Sequence, residues 1–554
     1  MGSELTALDW WALSGTIGLI AFYGMWKTRQ RSTGLEFLTG KHESHWATIG
    51  LGIIATQASA ITFISTPGQG FSDGLGFAQF YFGMPIALLV IGVWIVPRYM
   101  AAGVGTAYGY LENVFGSRVR LLAAALFLMS RSLAAGITLY APGIVLSAVL
   151  GWDLNTTIVL TGAVVVFYTV FGGYKAVGVT QTAQMTVIFS GLFAAAYFLV
   201  ERMPEGVGLA ESWDLMAVYE RTKVLDWSID PANRYTVWSG LAGGFFLAMS
   251  YFGTDQSQVG RYLGGKSLRE IRIGMSMTGL IKIPMQLFIL GLGLLLFTNM
   301  HFTEEPLWHN PAVRQVWEEN PDHQGVDQAW KALQAERRQA ATAFVQGADN
   351  ALQLQAMESQ RLVLKEAAVQ EVKQAYPHLE TKDTDYVFLG WALKALPSGM
   401  LGLLLAVILA GAMSSASAEL NALSATTVID FGRVFGWSEQ PSLLLSRMLT
   451  GFWGLVALGV ALSASLAENL IQLVNMIGSL FYGPILGLFV CAWVFPKLPE
   501  SKVFYGGLCA QLIVALLHTA NVMGYVDLGY LWYNLIGCVA VVLIAFLTPR
   551  KAQQ

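Results

Sequence analysis

Apolar runs of roughly 20 residues recur along the whole chain, and each is long enough to cross a hydrocarbon core of ~30 Å as a helix. Only 12% of the 554 residues are charged, whereas a soluble domain usually carries about 25%. The net charge of −3 gives no reason to expect nucleic acid as a partner. The pattern therefore predicts an all-α polytopic membrane protein. We expect about thirteen transmembrane helices, near 7–26, 46–66, 75–97, 120–150, 156–172, 179–200, 236–260, 273–300, 396–428, 443–465, 469–494, 503–522 and 529–548.

The distribution of basic residues predicts the orientation in the membrane. With the N-terminus outside, the short loops expected in the cytoplasm contain all the clustered Lys and Arg, among them Lys27, Arg98, Arg118, Lys266 and Arg433. The short loops expected outside, near 67–74, 151–155, 466–468 and 523–528, contain none. Cytoplasmic loops carry an excess of such residues. We therefore expect a multi-pass protein of the bacterial inner (plasma) membrane, surrounded by lipid, with its C-terminus in the cytoplasm.

Residues 301–385 interrupt the apolar pattern, because they are polar and of mixed charge. Their composition predicts one or two amphipathic helices, in the form of a hairpin, on the outer face. Two roles stay open for this insert. It is either an inert cap or a docking site for a protein partner or a second subunit.

Two small-residue segments suggest a cation site inside the membrane. The second span contains small and hydroxylated residues from Ala55 to Ile64, followed by Ser-Thr-Pro-Gly-Gln-Gly at 65–70, so we expect a broken helix within 55–70. Unwound backbone is tolerated in a membrane only beside a cavity or ion site, where its carbonyls can bind a cation. Gly411, Ser414 and Ser415 share one helix face and can complete a five-oxygen site with those carbonyls. The alternative is close helix packing through small residues.

Three charged residues lie inside predicted spans, where charge is expensive and suggests function. Arg131 either holds a substrate carboxylate or extends to the cytoplasmic interface. Lys282 either pairs with a carboxylate or faces a cavity. Glu419 is a cation or proton site, or the partner of one of these bases.

Several longer motifs resemble the sodium/solute symporter family, especially its iodide, monocarboxylate and multivitamin branch. These motifs are Leu-Tyr-Ala-Pro at 139–142, Phe-Gly-Gly-Tyr-Lys-Ala-Val at 171–177, Tyr-Phe-Gly-Thr-Asp-Gln at 251–256, Gly-Arg-Tyr-Leu at 260–263 and Leu-Pro-Ser-Gly-Met-Leu-Gly at 396–402. The resemblance implies a leucine-transporter-type inverted five-helix repeat. It divides the chain into an extra helix (1–35), the first repeat and the start of the second (36–300), the insert (301–385), the remainder of the second repeat (386–495) and two C-terminal helices (496–554).

The resemblance also implies which residues bind sodium and substrate. It places the sodium ion on Ala55, Ala58, Gly411, Ser414 and Ser415. It places a small-molecule substrate near Gln57, Ser59, Thr62, Phe77 and Tyr81, with Tyr251 as an inner gate and Lys282 in contact with the substrate. Arg131 lies one turn from the position of a carboxylate-binding arginine in sialic acid carriers.

The sequence departs from the family pattern at a second sodium site. Many members have an Asp where this chain has Gln181, and one of the associated serines is replaced by Ala418. We hypothesise that Gln181, Ser417 and Glu419 form a second cation or proton site. The alternative is a carrier of a single sodium ion.

These residues predict a sodium-coupled symporter that imports a small organic solute, with an organic anion favoured. Two alternatives stay open: a proton-coupled symporter that uses Glu419, and a membrane sensor that acts through a partner. The predicted spans contain no His cluster and no nucleophile with a base, so we do not expect an enzyme.

Overall fold

The computed structural model describes residues 5–27, 33–39, 45–320, 323–377, 379–432, 434–437, 441–464 and 469–547. Every regular element within these ranges is a helix, which confirms the predicted all-α fold class. The first half contains α1 (Ala7–Lys27), α2 (Gly34–Thr39), α3 (Trp46–Gln57), α4 (Ala60–Asp73), a 3₁₀ segment (Gly74–Tyr81), α5 (Met84–Val90), α6 (Val96–Ala102), α7 (Ala107–Val114), α8 (Ser117–Leu150), α9 (Leu154–Glu201) and α10 (Leu209–Val218).

The second half has the same character, with one group of polar helices in its middle. It contains α11 (Gly244–Gly253), α12 (Gln256–Leu263), α13 (Leu268–Phe302), α14 (Pro311–Glu319), α15 (Gln324–Val345), α16 (Ala351–Ala375), α17 (Thr384–Ala395), α18 (Met400–Thr426), α19 (Leu443–Ser463), α20 (Leu470–Val494), α21 (Glu500–Val522) and α22 (Trp532–Leu547).

Within the described residues, nine helical segments are long and apolar enough to cross a membrane. The helix α9 supplies two of them, because it bends at Gly173, whose φ of 63° is costly for any residue with a Cβ. The segment α22 is apolar but shorter. The predicted total of about thirteen spans stays a prediction, since α1, α3, α11 and α12 are not part of the nine segments.

The second span is interrupted within the segment 55–70, near its beginning rather than at the proline and glycines. The chain leaves the helix at Ala58 (ψ 65°) and resumes at Ala60, whereas Pro67 lies inside the continuous helix α4. The small residues at 65–70 serve packing instead. A Cβ on Gly70 would lie 2.3 Å from the carbonyl oxygen of Leu290, and one on Gly293 would lie 2.0 Å from that of Pro67. They allow α4 and α13 to approach closely.

A second interrupted helix consists of α11 and α12, which are separated at Thr254 and Asp255. Each interrupted helix begins a series of five long helical segments, one ending with α9 and the other with α20. One helix precedes the two series and two follow them. This order agrees with the inverted five-helix repeat of the leucine-transporter fold.

The helices α14 to α17 lie at one end of the bundle, which we call the outer end; the opposite end is the inner end. Ion pairs tie them to the membrane helices. Arg221 donates to the carbonyls that end α4 and pairs with Glu358 of α16 at 3.0 Å. Burial alone raises the pKa of Glu358, but Arg361, Arg337 and Arg221 lower it to about 2. These helices therefore form part of the folded body rather than a loose appendage.

Candidate ion and substrate site

The first interruption meets the middle of α18 at a cluster of buried oxygen atoms. The Ser415 hydroxyl donates to the Thr56 carbonyl at 2.9 Å and reaches the Ala55 carbonyl at 3.4 Å. A Cβ on Gly411 would lie 3.4 Å from the Ala58 carbonyl oxygen. The absent side chain of Gly411 thus allows the unwound backbone to lie against α18.

The oxygen atoms of this cluster suit a sodium ion. Ser414 and Ser415 are buried and contribute hydroxyls, and Ala55 and Ala58 contribute carbonyls at the end of α3. Neutral and carboxylate oxygens are the ligands of hard cations, whereas transition metals favour imidazole and thiolate. Among the described residues no group of three or more His, Cys, Asp or Glu side chains forms a metal site. The structure brings Gly411 and Ser415 against the backbone of Ala55 and Ala58, while the Ser414 hydroxyl accepts from Gln181 at 3.4 Å.

The three residues of the hypothetical second cation site do not converge. Gln181 approaches Ser414 at 3.4 Å, Ser417 bonds the hydroxyl of Thr169 at 2.7 Å, and Glu419 pairs elsewhere. Ser417 and Glu419 are two positions apart on one helix, so their side chains point about 200° apart. The structure therefore does not assemble this site from these residues.

Glu419 belongs instead to a buried cluster around Arg131. Arg131 donates to Glu419 at 2.9 Å and to the Tyr482 hydroxyl at 2.5 Å, and it also bonds the carboxylate of Asp255. Its guanidinium lies 5.4 Å from the ring centroid of Tyr251. Arg131 is 2% exposed, so it does not extend to the membrane surface. Two carboxylates already compensate its charge, and Asp255 was not expected from the sequence.

Beside the cluster of buried oxygen atoms lies a central cavity of about 110 Å³. Seven of the eight predicted substrate residues line it: Gln57, Ser59, Thr62, Tyr81, Arg131, Tyr251 and Lys282. Sequence reasoning missed Thr138, Leu247, Ile471, Val474, Asn475 and Tyr482, which also line it and carry no distinctive local pattern.

Phe77 is the exception among the predicted substrate residues. It is fully buried and stacks on Phe80 with ring centroids 5.6 Å apart, and Phe80 takes its place in the cavity wall. In an α-helix, Phe77 and Tyr81 would share a face. Residues 74–81 form a 3₁₀ helix instead, and its three residues per turn separate the two side chains by about 120°.

Lys282 differs from Arg131 in its electrostatic surroundings. It is 2% exposed, and its ammonium lies 5.8 Å from the ring centroid of Tyr81. No salt bridge joins it to a carboxylate among the described residues. The cavity also contains the buried Gln57 Oε1, which has no hydrogen-bond partner in the described structure. Lys282 thus places in the central cavity a basic side chain that has no carboxylate partner among the described residues.

Polar contacts close the central cavity toward the outer end. The Gln69 side-chain oxygen accepts from Asn469 at 2.6 Å and from Gln472 at 3.2 Å. Asp385 of α17 accepts from the backbone N–H of Leu470 at 3.1 Å. These contacts join α4, α17 and α20 above the cavity, so release of a solute outward requires them to separate.

A helical bundle with two interrupted helices, a buried oxygen cluster at the first interruption and a cavity beside it is the arrangement of a secondary transporter. The model of the sodium:solute symporter family matches residues 37–321 and 357–510. The chain belongs to the sodium:solute symporter family. It is a sodium-coupled membrane transporter and not an enzyme.

Individual relatives agree with this assignment. The chain is 24% identical to the sodium-coupled monocarboxylate transporter 2 of Bos taurus, over 90% of this chain and 69% of the relative. It is 25% identical to the sodium/iodide cotransporter of Homo sapiens, over 90% of this chain and 67% of the relative. The solved structure of a Na⁺-coupled sialic acid symporter, in a substrate-bound outward-open state, matches with a TM-score of 0.73, 19% identity and 98% coverage of both chains. That structural likeness concerns the fold.

Proposed function

We propose that this protein imports a small organic anion together with sodium, and that Lys282 binds the anionic group. The uncompensated ammonium of Lys282 in the central cavity supports this proposal above all. A buried cation without a counter-charge is costly, and a bound carboxylate would offset that cost. The relatives are named as carriers of monocarboxylate and iodide, which are both anions.

In this proposal sodium binds the carbonyls of Ala55 and Ala58 and the hydroxyls of Ser414 and Ser415, where Gly411 leaves room for it. The site joins α3 and α4 to α18, so sodium favours the arrangement in which these elements are in contact. The substrate lies in the adjoining cavity, against the same interruption of the helix. Binding of one therefore stabilises the arrangement that binds the other, which is how two solutes become coupled.

Proton coupling through Glu419 is less consistent with the geometry. The Glu419 carboxylate is held by Arg131 at 2.9 Å, and a proton carried by Glu419 would break this ion pair. The proposal also retains the predicted location in a bacterial inner membrane and the predicted orientation. The helices α14 to α17 lie outside, and the basic loops and the C-terminus lie inside. Exposed apolar side chains on α16, such as Leu352 and Val363, would be available to a protein partner.

The test is uptake of radiolabelled pyruvate, lactate, acetate and nicotinate by the full chain in proteoliposomes. An inward sodium gradient is compared with potassium and proton gradients of equal size. We expect the sodium gradient alone to drive accumulation of at least one carboxylate. Accumulation driven equally by protons without sodium would overturn the proposed coupling.

Two variants separate the ion from the substrate. A hydrogen bond to a charged group contributes about 1.5–3 kcal/mol, so Lys282→Gln should lower kcat/KM for the carboxylate by roughly 10- to 150-fold while sodium still stabilises the protein against heat. Ser415→Ala should abolish that sodium stabilisation. Lys394→Gln, which removes a cation at the outer end, is the matched control and should change neither. Unchanged carboxylate uptake by Lys282→Gln would contradict the proposal.

A further inference from the structure

A second cavity lies at the inner end of the bundle and also measures about 110 Å³. Arg261 of α12 and Asn421 of α18 line it, and they are 4% and 2% exposed. The Arg261 Nη2 atom and both polar atoms of the Asn421 side chain are buried without a hydrogen-bond partner in the described structure. Buried polar groups are rarely left unpaired, and each one calls for an explanation.

The charge of Arg261 is also uncompensated. Its guanidinium lies 4.8 Å from the ring centroid of Tyr174, but no carboxylate among the described residues pairs with it. The other buried arginines of the membrane helices differ. Arg131 holds Asp255 and Glu419, and Arg120 holds Asp430 at 2.7 Å and also Glu112. The described residues that line the cavity of Arg261 therefore include no carboxylate.

The side chain that faces Arg261 from α9 is neutral. A Cβ built on Gly52 would lie 3.0 Å from Gln181 Oε1 and 4.0 Å from Arg261 Cδ, which places both side chains beside the same backbone position. A carboxylate in the place of Gln181 would compensate the arginine. The amide leaves the positive charge available to a ligand.

The inner cavity continues the central cavity along α18. Ser415 and Glu419 line the central cavity, and Ala418, Asn421 and Ala422 line the inner one. With a rise of 1.5 Å per residue, Glu419 and Ala422 are about 4.5 Å apart along the helix axis. Arg131 and Glu419 line the central cavity, and Asp255, which pairs with Arg131, precedes Gln256 and Ser257 of the inner cavity, so the Arg131 cluster adjoins both cavities.

We propose that Arg261 and Asn421 form a second anion-binding site, which receives the carboxylate of the transported solute between the central cavity and the inner side. The identity of the ligand rests on the proposed function. The guanidinium can donate two parallel hydrogen bonds to a carboxylate, and the Asn421 amide can donate a third. The two cavities have the same volume, so a solute that fits the first also fits the second.

The site can be tested without transport, by the charge selectivity of cysteine modification. Ala422→Cys places a thiol in the inner cavity of a chain whose own cysteines are replaced by alanine: Cys491, Cys509 and Cys538. An anionic (sulfonatoethyl) and a cationic (trimethylammonioethyl) methanethiosulfonate are applied to the protein in nanodiscs. We expect the anionic reagent to react faster, and pyruvate to slow it at least threefold.

Arg261→Gln should lower the ratio of anionic to cationic rates at least tenfold and abolish protection by pyruvate. Arg261→Lys keeps the charge and should keep most of the ratio, which guards against a general loss of folding. Arg272→Gln is the matched control. It removes an arginine of the inner end that donates to the Gly92 carbonyl at 2.9 Å and lines neither cavity, so the ratio should not change.

An unchanged ratio in Arg261→Gln would overturn the inner site, even where Lys282→Gln abolishes uptake and so upholds the proposed function. The converse is distinguishable. Suppose that the ratio depends on Arg261, but that no carboxylate of the uptake panel protects the introduced thiol and no sodium-driven uptake is found. This result would overturn both the role of Arg261 in carboxylate passage and the proposed substrate class.

Discussion

The cluster around Arg131 contains one guanidinium and two carboxylates, and this imbalance predicts an unequal response to mutation. At 2.9 Å and an effective dielectric constant of 20, the Arg131–Glu419 pair is worth about 6 kcal/mol before desolvation. Arg131→Gln leaves Asp255 and Glu419 both buried and uncompensated, and loss of one partner of a buried pair typically costs about 3–5 kcal/mol. Glu419→Gln leaves one cation with one carboxylate and an amide oxygen that can still accept. We expect it to cost no more than about 1 kcal/mol.

The double variant distinguishes this explanation from simple damage to packing. Arg131→Gln combined with Glu419→Gln leaves one uncompensated carboxylate instead of two, so it should be more stable than Arg131→Gln alone. Stability would be measured by denaturant titration of the detergent-purified protein, supported by thermal denaturation. Arg314→Gln removes an exposed pair with Glu318 and serves as a control that should cost about 0–1 kcal/mol. Additive effects of Arg131→Gln and Glu419→Gln would refute the reasoning.

Two further predictions concern packing and pH. Gly293→Ala should destabilise the protein by about 1–3 kcal/mol, because its Cβ would lie 2.0 Å from the Pro67 carbonyl oxygen, whereas Gly291→Ala, with no atom within 4 Å, should be neutral in the same thermal assay. Burial raises the pKa of Asp385, at the outer closure, to about 6. The folded state then binds a proton more readily than the unfolded state, so ionisation of Asp385 costs stability above pH 6 and this cost disappears as the pH falls toward 4. Asp385→Asn should therefore be more stable than wild type at pH 7.5, by up to about 3 kcal/mol. This difference in stability should shrink as the pH falls from 6 to 4. A difference that does not change with pH would contradict the raised pKa of Asp385.

The sodium residues illustrate how far sequence reasoning reached. Gly411, Ser414 and Ser415 lie on one continuous helix, where a spacing of three and four residues fixes a shared face. The interruption beside them was expected within 55–70 from its small residues, and the structure has it at Ala58. Proline and glycine weaken a helix, yet at Pro67 and Gly70 tight contacts with α13 hold the helix together, and only the folded structure supplies those contacts.

The substrate residues show the same division. Lys282 and Arg131 were recognised because charge inside a membrane is rare, but the sequence left open which of them is paired. Asp255 and Glu419 are 124 and 288 positions from Arg131, so no local pattern relates them. Phe77 was expected from the family resemblance, but residues 74–81 form a 3₁₀ helix and Phe80 rather than Phe77 lines the cavity.

The sequence by itself determined that the chain is a helical membrane protein, because apolar length is a local property that the bilayer selects directly. It also determined the family, through motifs that are contiguous in the chain. Only the tertiary structure decided where the charges are compensated. That outcome depends on which distant helices meet, and it leaves Lys282 and Arg261 as the buried cations without a carboxylate partner among the described residues.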